Sequence, residues 1–354
     1  MNFLEKLLGL RRHVGPYAFP LERSQERDYG SGYEGDVFYW DIDKTYLESD
    51  HQTVRGLMAV TWEMAVDKRQ VAATDVLLRA LRRGAPRGGS VQSSPLYFVS
   101  ASPPQLRTVI ERKMLMDGVE HDGITFKDQL ALIRSGKLHR LRAHIAYKLS
   151  ALLLYRREIP WTVRETLFGD DSESDALIYG LYADIVAGRL RGEVLEATLR
   201  KNGALPEDAL YVTDLSAGLP ERELVERIYI HLAPGRAKRD FSPWGAMVVP
   251  HEDTLQAALT LLDDGKIREQ AVVEITRAMI ERHDLGPAEI LRRLFDVIDR
   301  GYAQPATLAG IWETLRTEHL VPESLILEER PSSSRVRTRD RDFVTPMKFL
   351  ALGG

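Results

Sequence analysis

A chain of 354 residues exceeds what one compact core usually serves and predicts roughly two domains. Its 44% hydrophobic and 28% charged residues exclude disordered, collagen-like and fibrous classes. A formal net charge of −4 gives no overall field for nucleic acid or an anionic membrane, and the lack of cysteine removes disulfides, thiolate zinc sites, iron–sulfur clusters and cysteine nucleophiles.

Residues 1–35 read as a short amphipathic helix, with Phe3, Leu4, Leu7 and Leu8 opposite Lys6, Arg11 and Arg12, followed by a Pro- and Gly-rich lead-in. Glu5 and Lys6 break the apolar stretch that a signal peptide needs, and no apolar run reaches the length of a bilayer span; a cytoplasmic location is expected. From 36 to 250, short β-prone runs alternate with helical patterns. The strands are expected at 36–40 (DVFYW), 96–100 (LYFVS), 165–169 (ETLFG), 227–232 (RIYIHL) and, more weakly patterned, 246–249 (AMVV). Helices are expected within Thr53 to Arg83, Pro104 to Met116, Ala143 to Arg156 and Asp175 to Leu190. This alternation predicts an α/β domain with a doubly wound, Rossmann-like parallel sheet. Residues 190–225 exceed a direct connection and read as a helical insertion. Beyond 251, apolar residues at helical spacing predict four helices in a helical region spanning 251–330. Residues 331–354 form a basic, polar tail with an apolar end.

The chemistry-bearing residues fall at the ends of the predicted strands, where open α/β sheets bind ligands. Asp41 and Asp43, in DIDKT, follow the run Val37 to Trp40; alternation sends both side chains to one side. Two such carboxylates repel unless a cation lies between them or one holds a proton. Ser100, Ala101, Ser102 and Pro103 end the next run. There Ser100 offers a hydroxyl to a phosphoryl oxygen, and Ser102 reads as a helix N-cap. Lys148 heads an apolar helix, and Gly169, Asp170, Asp171, Ser172, Glu173, Ser174 and Asp175 end a further run with an acidic cluster. The histidines form no metal set, His139 and His144 being five apart, and no Walker loop, dinucleotide fingerprint or GxSxG motif is present.

This order of DxDxT, Ser, Lys and GDDxxxD resembles the haloacid-dehalogenase-like phosphohydrolase superfamily over residues 36–180 and on to about 235. YFVSASPPQL and GDDSESDALIY are most similar to the catalytic domain of the actin-patch-associated phosphatidate phosphatases. The resemblance implies a haloacid-dehalogenase-like fold and a phosphatase that hydrolyses a phosphate monoester, a phosphatidate or another bulky ester. Asp41 would be the nucleophile and Asp43 the acid/base, with Thr45 ordering the loop and, with Ser100 and Lys148, forming the phosphate-binding set. Mg²⁺ would be held by Asp41, Asp43 (through its carbonyl) and Asp170, with Asp175 or Asp171 in support. Lys44 and Tyr46 depart from the superfamily pattern, which has a small or acidic residue and an aliphatic one there. The rival readings are a catalytically weak phospho-ligand-binding or scaffolding module, whose C-terminal helices take a protein partner, and a polynucleotide end phosphatase. The basic stretches at 79–83 and 137–142 read either as anion-binding or as solvated helix faces, and the N-terminal helix either packs on the core or touches lipid. No cap domain is evident between Thr45 and Leu96, so an open site is expected.

Overall fold

The runs VFYW, YFV and TLF are apolar at consecutive positions rather than at alternate ones, a pattern that suits strands covered on both faces. The computed structural model, which describes residues 19–29, 33–43, 45–46, 71–85, 93–128, 144–171, 174–233 and 241–325, forms them so. In chain order the strands are β1 (Leu21–Arg23), β2 (Asp36–Asp41), β3 (Leu96–Ser100), β4 (Gly123–Lys127), β5 (Arg164–Asp170), β6 (Val225–His231) and β7 (Val248–His251). They make one sheet in the order β1-β4-β3-β2-β5-β6-β7, parallel throughout except for β1, which runs antiparallel to β4. The connection from β2 winds to β3 and β4 on one side, and the chain then crosses to β5, β6 and β7 on the other. The order therefore reverses beside β2, the switch point of a doubly wound sheet.

All five strands expected from the sequence are present. Two more, β1 and β4, complete the edge. The helices are α1 (Thr74–Arg83), α2 (Arg107–Met116), α3 (His144–Arg156), α4 (Asp175–Val186), α5 (Gly192–Lys201), α6 (Pro206–Ser216), α7 (Thr254–Asp263), α8 (Glu269–His283), α9 (Pro287–Asp299) and α10 (Pro305–Thr317). The stretch at 190–225 is the helical pair α5 and α6. Proline stands at the first turn of α6, α9 and α10, where its missing N–H costs nothing, and Asp253 caps α7 by accepting from the Gln256 N–H at 3.1 Å. The expected N-terminal amphipathic helix, most of the helix expected from Thr53, the basic stretch at 137–142 and the C-terminal tail lie outside the described residues. No helix of the described residues is long and apolar enough to cross a membrane.

Each face of the sheet buries its own apolar cluster. One holds Val37, Tyr39, Leu167 and Ile228 against α3, α4, α5 and α6. It also encloses an ion pair: Arg156 of α3 donates to Glu165 of β5 at 2.7 Å, with both side chains fully buried. The Tyr182 hydroxyl donates to the other Glu165 oxygen at 2.9 Å. The opposite face joins Phe38, Trp40, Phe98, Phe168 and Tyr229 to α1 and α2 and to Leu255, Ile275, Leu294 and Trp312 of the C-terminal helices. Of those helices α7 packs on β7 and α8 on α1, while α9 and α10 pack on α7 and on one another, so all four share one apolar cluster with this face of the sheet.

Candidate active site

β2 ends on Asp41, β3 on Ser100 and β5 on Asp170, all at the carboxyl edge beside the switch point. Asp175, the first residue of α4, reaches the same place because Gly169 lets the helix start press against β5. A Cβ on Gly169 would lie 2.4 Å from Asp175 Oδ2 and 2.8 Å from the Tyr179 ring. The Asp170 backbone N–H donates to Asp175 Oδ2 at 3.2 Å. Asp41, Asp170 and Asp175 each place a carboxylate oxygen within 4.8 Å of the others, and all three are buried.

Lys148, in the second turn of α3, lies between two of them. Its Nζ is 2.5 Å from Asp175 Oδ1 and 3.1 Å from Asp41 Oδ1. Three buried carboxylates against one ammonium leave two negative charges in a space shielded from water, where like charges are costly. Hard oxygen donors with that excess suit Mg²⁺ or Ca²⁺ and do not suit a soft metal.

Asp43 is set apart from this cluster. It accepts from Ser100 Oγ at 3.0 Å and from Ser102 Oγ at 3.3 Å, while Ser100 Oγ accepts the Ser102 N–H at 3.1 Å. Ser102 is therefore not the expected helix cap. The short 3-10 helix begins at Pro104 behind Pro103, and the Ser102 hydroxyl serves Asp43 instead. Among the described residues, Asp43 and residues 101–103 are partly exposed, whereas Asp41, Asp170, Asp175, Lys148 and Ser100 are buried. Asp171 turns away, accepting the Ala233 N–H at 2.9 Å beyond β6. Of the two expected supporting aspartates, Asp175 joins the cluster and Asp171 does not.

Thr45 is buried in the turn after β2, closed by the Tyr46 N–H donating to the Ile42 carbonyl at 3.0 Å. The departure at Tyr46 has a structural reason: its ring is fully buried beside Phe98, with centroids 6.1 Å apart, and its hydroxyl donates to Asp117 after α2. Lys44 lies outside the described residues. In the 79–83 stretch Arg79 pairs with Asp75, Arg82 with Asp122 and Arg83 with Glu274.

Three neighbours escaped sequence reasoning. The single proton of the Tyr147 hydroxyl is shared between the Ser100 carbonyl at 2.5 Å and the Thr125 carbonyl at 3.1 Å, tying the end of β3 to the middle of β4. Tyr179 donates to the Phe168 carbonyl at 3.2 Å. Burial holds both phenols well above their ordinary pKa, with Asp175 adding to the effect at Tyr179, so they remain neutral donors. Lys127, the last residue of β4, is fully buried. Lys127 and Tyr147 lie in no motif, and Tyr179 ends the GDDSESDALIY string without a chemical role suggested by it; the fold brings all three to the edge. Further along, His231 and His251 end β6 and β7 with ring centroids 5.5 Å apart. Burial and the neighbouring His231 hold the His251 imidazole well below its ordinary pKa.

Compared with family models, with curated proteins and with solved structures, the chain finds no match.

Proposed function

We propose that this protein is a haloacid-dehalogenase-like, Mg²⁺-dependent phosphatase that hydrolyses phosphate monoesters through an aspartyl-phosphate. The observation that carries the reading is the meeting of Asp41, Asp170, Asp175 and Lys148, from separate parts of the chain, at the switch point of a parallel sheet. Asp41, Asp170 and Asp175 would hold the cation. A bound Mg²⁺ would supply charge stabilisation for the phosphoryl oxygens.

Asp41 attacks phosphorus, forming the Asp41–phosphoryl bond as the bond to the ester oxygen breaks. Asp43, on the solvent-facing side, gives its proton to the departing alkoxide and later takes one from the water that releases inorganic phosphate. Splitting the displacement into two steps returns both carboxyl groups to their starting states. Ser100 holds Asp43 in place and, with Lys148, stabilises negative charge on the transferred group. Tyr147 fixes Ser100 by its backbone.

Purified protein with Mg²⁺ should hydrolyse a chromogenic aryl phosphate. Asp41→Asn should lower kcat by at least about 10³-fold, the scale expected for loss of a nucleophile. Equal rates for the two proteins would dismiss the mechanism.

A further inference from the structure

Ser102 meets Asp43 at both carboxyl oxygens, its hydroxyl proton shared between Oδ2 at 3.3 Å and Oδ1 at 3.4 Å. The residue is itself held by its backbone. Its N–H donates to Ser100 Oγ at 3.1 Å, and its carbonyl accepts the Lys127 N–H at 3.2 Å from the end of β4. Pro103 follows, which disfavours a helical backbone at Ser102, and the 3-10 helix beyond takes no side-chain cap. The hydroxyl therefore serves the carboxyl group and not the helix. Ser100 Oγ reaches Oδ2 of the same carboxyl group at 3.0 Å. A serine has one hydroxyl proton. When Ser100 turns that proton to a phosphoryl oxygen, its hold on Asp43 lapses, while its Oγ still accepts the Ser102 N–H. The Ser102 hydroxyl stays on Asp43 throughout. Asp43 is partly exposed, where a side chain left to itself changes rotamer in nanoseconds or less.

We propose that Ser102 is a positioning residue for the acid step, keeping the Asp43 carboxyl group in one orientation while Ser100 is engaged by phosphate; the inference rests on the phosphatase reading above. In that step the bond from Asp41 to phosphorus forms and the bond from phosphorus to the ester oxygen breaks. The Asp43 proton passes to that oxygen, so the alcohol leaves neutral and Asp43 is left as the carboxylate. The need for the proton depends on what leaves. An alkoxide is a strong base and requires it, whereas a nitrophenolate departs as a stable anion. Orientation of Asp43 therefore matters for alkyl esters far more than for activated aryl esters. Ser102 is thus the residue that extends the site to poor leaving groups.

The test compares kcat/KM with Mg²⁺ for a nitrophenyl phosphate and a simple alkyl phosphate, in initial rates with no alcohol added. That ratio of constants covers transfer to Asp41 and is blind to the later hydrolysis of the intermediate, in which Asp43 also acts. Ser102→Ala should lower the alkyl value about tenfold further than the nitrophenyl value, the scale of one hydrogen bond to a carboxyl group. Ser102→Thr keeps the hydroxyl and should return the bias to within about threefold of wild type. Asp43→Asn should show the same bias more strongly, since general acid catalysis contributes about 10²–10⁴-fold. Each variant is melted first, and Ser102→Gly replaces Ser102→Ala if that variant does not fold. Equal losses for the two esters, or none, in a folded variant lacking the hydroxyl would overturn the role of Ser102 and leave the phosphatase reading standing. A biased loss that Ser102→Thr does not repair would also overturn it, pointing to packing instead of the hydroxyl. So would an unbiased Asp43→Asn, or wild-type activity confined to the nitrophenyl ester, since no acid step would then be at work. Wild-type protein that hydrolyses neither ester would end both.

Discussion

Gly169 is where a single atom decides whether the carboxylates meet. Its missing side chain is the space in which Asp175 sits, and a Cβ there would lie closer to Asp175 Oδ2 and the Tyr179 ring than any real contact allows. Gly169→Ala should therefore push the start of α4 from β5, at a cost of about 1–3 kcal/mol as overpacking. It should also weaken Mg²⁺ binding, since Asp175 and Asp170 could no longer keep their present spacing. Urea denaturation and a metal titration check both, and a variant that binds Mg²⁺ like wild type would show that the close approach is incidental. The aspartates and Ser100 are legible before the fold because strand ends are marked by apolar runs and chemistry gathers just beyond them, whereas Lys148 stands out only as a cation in an apolar helix. Lys127 and Tyr147 are not legible, because GITFK carries a glycine and a lysine in five residues and HIAYKLS gives Tyr147 the look of any apolar helix position. The local pattern of serine before proline fits a helix cap, but Asp43, distant in sequence, claims the Ser102 hydroxyl.

β6 and β7 end in a pair of buried imidazoles, and their protonation should be felt in stability. His251 in the fold is held well below its ordinary pKa by burial first and His231 second, with its Nδ1 3.1 Å from the Asp253 carbonyl oxygen. As pH falls below about 6.5, the unfolded chain takes up a proton at this residue that the folded chain refuses, so stability falls toward acid. The slope from this one group approaches about 1.4 kcal/mol per pH unit. Asp253, raised to about 6 mainly by burial, acts with the opposite sign. The comparison of wild type with His251→Gln isolates the imidazole. Urea unfolding between about pH 5 and 8 should show a shallower acid loss in the variant, and parallel curves would refute the assignment. The strands differ in legibility for a plain reason: β2, β3, β5 and β6 each carry a run of large apolar residues (VFYW, LYFV, LF, IYI), whereas β1 is LER at the edge and β4 has only Ile124 and Phe126 as large apolar residues.

The helices from α7 onward read in the sequence as a region of their own, because their periodicity differs from that of the strands. Their apolar faces nevertheless enter the cluster that includes Phe38, Trp40 and Phe168, with Trp312 almost fully buried. Shared burial predicts that sheet and helices melt together: calorimetry should give one transition with equal calorimetric and van't Hoff enthalpies. Two separable transitions, one removed by truncation near 251, would show that the cluster is not a cooperative unit. The winding about β2 has an effect in time as well as in space. A chain emerging in order places Asp41 long before Asp170 and Asp175, and the sheet must close on its second side before the three can become neighbours. Until then the first aspartate is a lone, solvated acid, and the buried carboxylate cluster comes into being only with the completed tertiary structure.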